Sequence, residues 1–263
     1  MKTQFRRLGL WSALLLAFNV GADVESDRYA LAKRVMPDLA HAVEGLFAGY
    51  EATLEGALSE ADCQAFGKLI WERASEGVPT DDRILYWARL AALHQLTQYS
   101  KETPGTAIHR NCHSALEAAS RGRDGLSWKD GHYRLLVSGF DPFLLDRNIE
   151  QSNPSGLAAL RLDDQVLESS GGTLIHVRSV IFPVRFGDFD QGTLELVLGP
   201  LIEQDRIDAF VSISMGRDAF DLERFPGRRR SASSPDNLNL LSGGSEKAPL
   251  VPKLGDTELE GPE

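Results

Sequence analysis

Three short apolar runs in the second half of the chain set the strongest constraint on its fold. They are YRLLVS at Tyr133–Ser138, LIHVRSVIF at Leu174–Phe182 and IDAFVSIS at Ile207–Ser214. Each is rich in β-branched or large apolar residues and reads as a strand. Two helix-compatible stretches, Gly156–Val166 and Gly192–Gln204, stand between them. Adjacent parallel strands need a long crossover, and a helix supplies it, so the pattern predicts βαβ units and a largely parallel sheet. Ligands of such sheets sit beyond the carboxyl ends of the strands. Those ends carry GFDPF, FPV and SMGR, so any site is expected in these loops.

The residues before the sheet, Asp23–Arg121, read as a small all-helical domain. Leu31, Val35 and Leu39 recur four apart and are expected on one buried face, with Pro37 kinking or ending that helix. Ser59, followed by Glu60 and Asp62, has the pattern of a capped helix start, and Phe66, Leu69 and Ile70 give that helix an apolar stripe. Thr80 before Asp81 and Asp82 predicts a second start, with Leu85, Trp87, Ala88 and Ala91 facing the core. A last helix is expected from Thr106 to Ala119. His41, His94, His109 and His113 are scattered and form no recognisable ligand set, so neither a metal nor a cofactor is expected. Gly122–His132, with glycine turns and several charges, reads as the linker to the α/β region.

The first 22 residues have the layout of a secretory signal peptide: Lys2, Arg6 and Arg7, an apolar run from Leu8 to Val20, and a small-residue V-x-A pattern ending at Ala22. The expectation is an exported protein, periplasmic or secreted, with no stable membrane span once the leader is removed; an uncleaved anchor is the alternative. A formal charge of −10 argues against a nucleic-acid partner, since neutralising phosphates takes clustered Lys and Arg. The two cysteines, Cys63 and Cys112, are expected to be paired or buried in an oxidising compartment. A nucleophilic Cys112 beside His113 is the rival reading, and adjacency in sequence is poor support for it.

The strand-end motifs also resemble a known family. VSGFDPF at Val137–Phe143, NPSG at Asn153–Gly156, FPVRF at Phe182–Phe186, MGR and LER at Met215–Arg217 and Leu222–Arg224, and PDN at Pro235–Asn237 occur in the order seen in pyroglutamyl peptidase I, also called pyrrolidone-carboxylate peptidase. The resemblance covers Tyr133–Asn237, the N-terminal part of that domain only. It implies a cysteine-type omega peptidase, a hydrolase that removes N-terminal pyroglutamate from a peptide partner. It places Glu223 as the catalytic carboxylate that orients a histidine, and Phe140 and Phe143 as the substrate-binding rings against the lactam. Asp141 and Asn153 are expected to hold loop backbone through their short side chains.

The chain departs from that family where the chemistry lies. Its nucleophilic cysteine and histidine follow the PDN motif, whereas the 26 residues after Asn237 hold neither and read as a loop-like tail. Leu144 and Leu145 replace a glycine pair, Ser233 and Ser234 replace an arginine and an apolar residue, and Arg228–Arg230 form a basic cluster slightly earlier. The domain is therefore expected to be truncated at 237, and its sheet to expose apolar surface unless the helical half covers it. Two functions remain open. One is an exported pyroglutamyl-peptidase-like exopeptidase homologue, inactive as this chain. The other is a non-catalytic periplasmic binding or interaction protein on a degenerate peptidase fold.

Overall fold

The structure, a computed structural model, describes residues 24–25, 27–47, 59–102, 109–216, 220–223, 234–242, 247, 253–254 and 257–258. The expected leader, Arg228–Arg230 and Ser233 lie outside the described residues. The helical half comprises α1 (residues 27–35), α2 (Pro37–Phe47), α3 (Glu60–Ser75), α4 (Arg83–Glu102) and α5 (His109–Ala119). The α/β half follows as β1 (Tyr133–Phe140), α6 (Pro154–Leu162), β2 (Val166–Glu168), β3 (Leu174–Phe182), α7 (Phe186–Asp190), α8 (Thr193–Glu203) and β4 (Ala209–Ser212). A separate two-stranded ribbon joins Lys253–Leu254 to Thr257–Glu258.

Local chemistry explains most helix ends. The Ser59 hydroxyl accepts the Asp62 N–H at 3.2 Å and the Asp62 carboxylate accepts the Ser59 N–H at 2.9 Å, a reciprocal capping box. Pro37 occupies the start of α2, where its missing N–H costs no helical hydrogen bond, so it begins one helix as α1 ends. The buried face of α1 differs from the expected one. Leu31 and Val35 are 39% and 44% exposed, while Arg28, Ala32 and Met36 are buried. Arg28 goes inside because its guanidinium bonds both oxygens of Asp146, each at 2.7 Å. The next helix starts at Arg83, whose N–H is accepted by Asp81 at 2.9 Å. Cys63 and Cys112 form a disulfide with Cα atoms 5.2 Å apart, joining α3 to α5.

The four-stranded sheet has the order β2-β3-β1-β4. β1 is parallel to β3, from Tyr133 opposite Ile175 to Phe140 opposite Phe182, and parallel to β4. The sheet is thus the expected mostly parallel one with flanking helices. The short β2 is antiparallel to β3 and was not expected. The helix expected to reach Val166 stops at Leu162 because Asp163 is pinned to β3, bonding the Ser179 N–H at 2.8 Å and the Trp71 indole at 3.1 Å. Asp164 then takes a positive φ of 58° and the chain turns back along β3.

The faces of the sheet are covered from different sources. Val137, Val177 and Ile181 pack with Leu160 of α6 and with Phe66, Trp71 and Leu85 of the helical half in one core. Leu136, Val180 and Phe182 pack on the other face with Leu201 of α8 and Leu126. The two expected domains therefore share a core, and the expected linker is packed: Trp128 donates to Leu135 O at 3.2 Å. Among the described residues β4 pairs only with β1, and Val211 is exposed on that edge strand.

Candidate functional site at the strand ends

The helix after β1 covers one face of the sheet and the helices after β3 cover the other, so the switch point falls between β1 and β4, beside the carboxyl end of β1 at Phe140. Four sequence motifs converge there. Asp141 donates its N–H to Phe182 O at 3.0 Å. The Asn153 side chain accepts from the Ser155 N–H at 3.1 Å and donates to Asp141 O at 2.9 Å. A Cβ on Gly139 would lie 2.3 Å from Ser155 O, and one on Gly156 would lie 2.7 Å from Phe140 O, so this approach of α6 to β1 requires both glycines. From the far loop, Asn237 donates to Pro142 O and to Val184 O, each at 2.9 Å, and Asp236 accepts the Phe186 N–H at 2.8 Å.

Asn153 holds loop backbone as expected, whereas Asp141 does something else. Its buried carboxylate lies between Arg89 of α4 and Arg121, which pairs with it at 2.8 Å. Arg121 also pairs with Glu117 at 2.9 Å, and Glu117 pairs with Arg185. Arg185 reaches Asp188 at 2.8 Å and Glu25 at 3.8 Å. Arg28 adds bonds to Asn237 O and Asn239, so α1 ties the PDN loop to Asp146. Buried charges persist only when paired in this way. Burial alone would raise the Glu117 pKa, but Arg121, Arg185 and Arg89 hold it well below the usual carboxylate value. For Glu25 burial prevails over the pull of Arg185, and the pKa is raised.

A narrow cleft opens beside this cluster, lined by Asp82, Phe140, Asp141, Pro142, Gly156 and Leu160. Its enclosed part has room for about one water molecule. Asp82 is buried, and its carboxylate accepts the Asn153 N–H at 2.8 Å. Burial pushes its pKa up to about 6, against the lowering effect of that hydrogen bond.

The residues expected to carry function are spread out. Phe140 is half-buried at the cleft and packs at a tilt against Phe182 and Phe189, with centroids 6.3 and 6.4 Å away. Phe143 is half-buried and Glu223 exposed, and neither lines the cleft. Among the described residues Glu223 has no hydrogen-bond or ion-pair partner, and Leu222 beside it is 96% exposed. No group of acidic, histidine or cysteine side chains among the described residues is placed to hold a metal. Both cysteines of the chain are bonded to each other, so the sulfur of Cys112 is not a free thiol beside His113. Sequence reasoning missed Arg28, Asp82, Arg89, Glu117 and Arg121. The signal for Arg89 was present: a lone charge inside the apolar run Leu85–Ala92.

Residues 134–260 match the family described as PA0049, C-terminal domain. A Pseudomonas aeruginosa protein described as "Uncharacterized protein PA0049" is 33% identical over 172 residues, which make up 59% of this chain and 31% of that protein. The chain thus spans about a third of the length of the curated relative it matches. No solved structure matches. Among the described residues no helix is long and apolar enough to cross a membrane.

Proposed function

We propose that this chain is an exported, non-catalytic binding protein built on a pyroglutamyl-peptidase-like α/β half. The observation that carries the reading is the grip of Arg89 and Arg121 on Asp141. The loop that would present the lactam-binding rings is held by the helical half, and the crevice has room for about one water. The disulfide supports both parts of the proposal. It removes the sulfur nucleophiles, and such bonds persist in oxidising compartments outside the cytosol.

The test is release of a fluorophore from a pyroglutamyl amide by the full chain, with and without dithiothreitol. The expected result is no turnover above the blank in either condition. Turnover that iodoacetamide abolishes would overturn the reading. The convergence of the GFDPF, NPSG, FPVRF and PDN loops favours a second reading, a pyroglutamyl-peptidase-like exopeptidase acting on peptides with N-terminal pyroglutamate. Under that reading Glu223→Gln lowers turnover, and an unchanged rate removes Glu223 from the mechanism.

A further inference from the structure

The first helix of the chain reaches all three loops that leave the carboxyl ends of the parallel strands. Arg28 of α1 bonds both oxygens of Asp146, in the segment after β1, each at 2.7 Å. The same guanidinium donates to Asn237 O and, at 2.9 Å, to the Asn239 side chain, both in the segment after β4. Glu25, just before α1, lies 3.8 Å from Arg185 in the loop after β3. It also accepts from the Tyr86 hydroxyl of α4 at 3.5 Å. No single strand-end loop makes contacts of this reach, since the partners of Arg28 lie 118 and 209 positions along the chain.

The hold of α1 is polar, and its apolar anchorage is small. Within α1 the buried residues are Arg28 and Ala32, while Leu31 and Val35 point outward at 39% and 44% exposure. Met36 follows as a further buried residue, and Tyr29 is half-buried, stacked on Trp87 at 6.3 Å. A helix as short as residues 27–35 does not persist in water by itself, so its order depends on this clasp. The clasp is also the ion pair of the cluster that water can reach. The Asp146 side chain is 50% exposed, whereas Asp141 and Arg89 are 3% and 0% exposed. Water can therefore replace the guanidinium at Asp146, while parting Asp141 from its arginines strands buried charge. Local opening starts where contacts are few and solvated, and that place is α1.

We propose that α1 is a strap: clasped through Arg28 it holds the strand-end loops together, and its release opens the crevice beside Asp82 and Phe140 to a ligand. The device is an order-to-disorder switch of one segment, with the rest of the fold kept. The inference rests on the binding-protein reading and adds the regulation of that same site. Its test uses neither ligand nor pyroglutamyl substrate, so the two can fail separately.

The experiment is alkylation of a thiol placed in the crevice wall of the full chain. Leu160→Cys puts one on α6 at a position 1% exposed, in a protein whose own cysteines are bonded to each other. Leu201→Cys puts another in the core on the opposite face of the sheet, 3% exposed, as the control for global opening. Each is made with Arg28 intact and with Arg28→Met, which keeps an apolar stem and removes every donor. Iodoacetamide labelling is followed by mass spectrometry without reductant. Arg28→Met is expected to speed labelling at position 160 by about tenfold or more, from the loss of charge-assisted hydrogen bonds, and to leave position 201 unchanged. Asp146→Asn keeps an oxygen for the guanidinium without its charge. It is expected to accelerate position 160 by less, which keeps the test decisive if the methionine variant fails to fold. Labelling at position 160 that neither variant accelerates overturns the proposal. So does an equal acceleration at positions 160 and 201, which would make Arg28 a support of the whole fold.

Discussion

The two ends of the central strands use the same ion-pair chemistry in opposite environments. At the amino end of β1, Arg134 pairs with Asp208 at 2.8 Å in an exposed position. At the carboxyl end, Asp141 pairs with Arg89 and Arg121 out of contact with water. An exposed pair is screened and contributes little, whereas removing one partner of a buried pair strands a charge in low dielectric. The amino end thus joins two strands of one sheet, while the carboxyl end holds the helical half on the α/β half. That end is also where an open sheet of this class would receive a ligand.

The largest effect is expected from Asp141→Ala. It leaves Arg89 and Arg121 without their shared carboxylate and should destabilise the protein by about 3–5 kcal/mol. Urea unfolding measures this. Hydrogen exchange should show the loss spread across α4 and the loop after β1, because the aspartate joins them. A cost as small as that of an exposed pair would erase the contrast between the two ends.

The disulfide comes next. Cys63–Cys112 closes a loop with a sequence separation of 49 and ties α3 to α5, whose last turn leads into Arg121. Cys63→Ala with Cys112→Ala should lower stability by about 2–4 kcal/mol. If the helical half is held mainly by its ionic contacts, this variant keeps the Asp141 region protected from exchange. Loss of that protection would shift the weight from the ion pairs to the staple.

The sheet was legible because its strands are continuous apolar runs and its crossovers are long, and the Ser59 cap was legible because both of its groups lie within one turn. The carboxyl-end cluster was not. Arg28 bonds residues 118 and 209 positions away, and Arg89 bonds one 52 away, so no local pattern carries them. Periodicity also misled: Leu31 and Val35 mark a face by residue type, but the satisfied guanidinium of Arg28 takes the interior. β2 is three residues long and depends on Asp163 meeting β3, a tertiary event. The phenylalanine of the site that could be placed at the cleft, Phe140, sits at the end of a legible strand; Glu223 and Phe143 follow strands by loops whose path the sequence does not specify.

Asp82 gives a smaller, pH-dependent effect. Its folded pKa of about 6 lies above the value near 4 expected for the unfolded chain. Between those values the folded state binds more protons, so the Asp82 contribution to stability falls as pH rises through that window and then levels off. Asp82→Asn keeps an oxygen for the Asn153 N–H and removes the ionisation. It should gain stability relative to wild type on going from pH 4 to pH 7.5, on the order of 2 kcal/mol. Urea midpoints of both proteins at both pH values decide this, and a pH-independent difference would show that Asp82 ionises freely in the fold.

Arg134→Ala is expected to have the smallest effect and sharpens the comparison most directly. Hydrogen bonds from the Arg134 side chain and backbone hold the Asp208 pKa down at about 2, so the pair is electrostatically well formed. It is nonetheless exposed, and water replaces the guanidinium when it is removed. The urea midpoint should therefore barely move at neutral pH, while the Asp208 carboxyl titrates closer to the ordinary aspartate value by NMR. A midpoint shift comparable to that of Asp141→Ala would mean that pair geometry, not burial, sets the value of the ion pairs at both ends of the sheet.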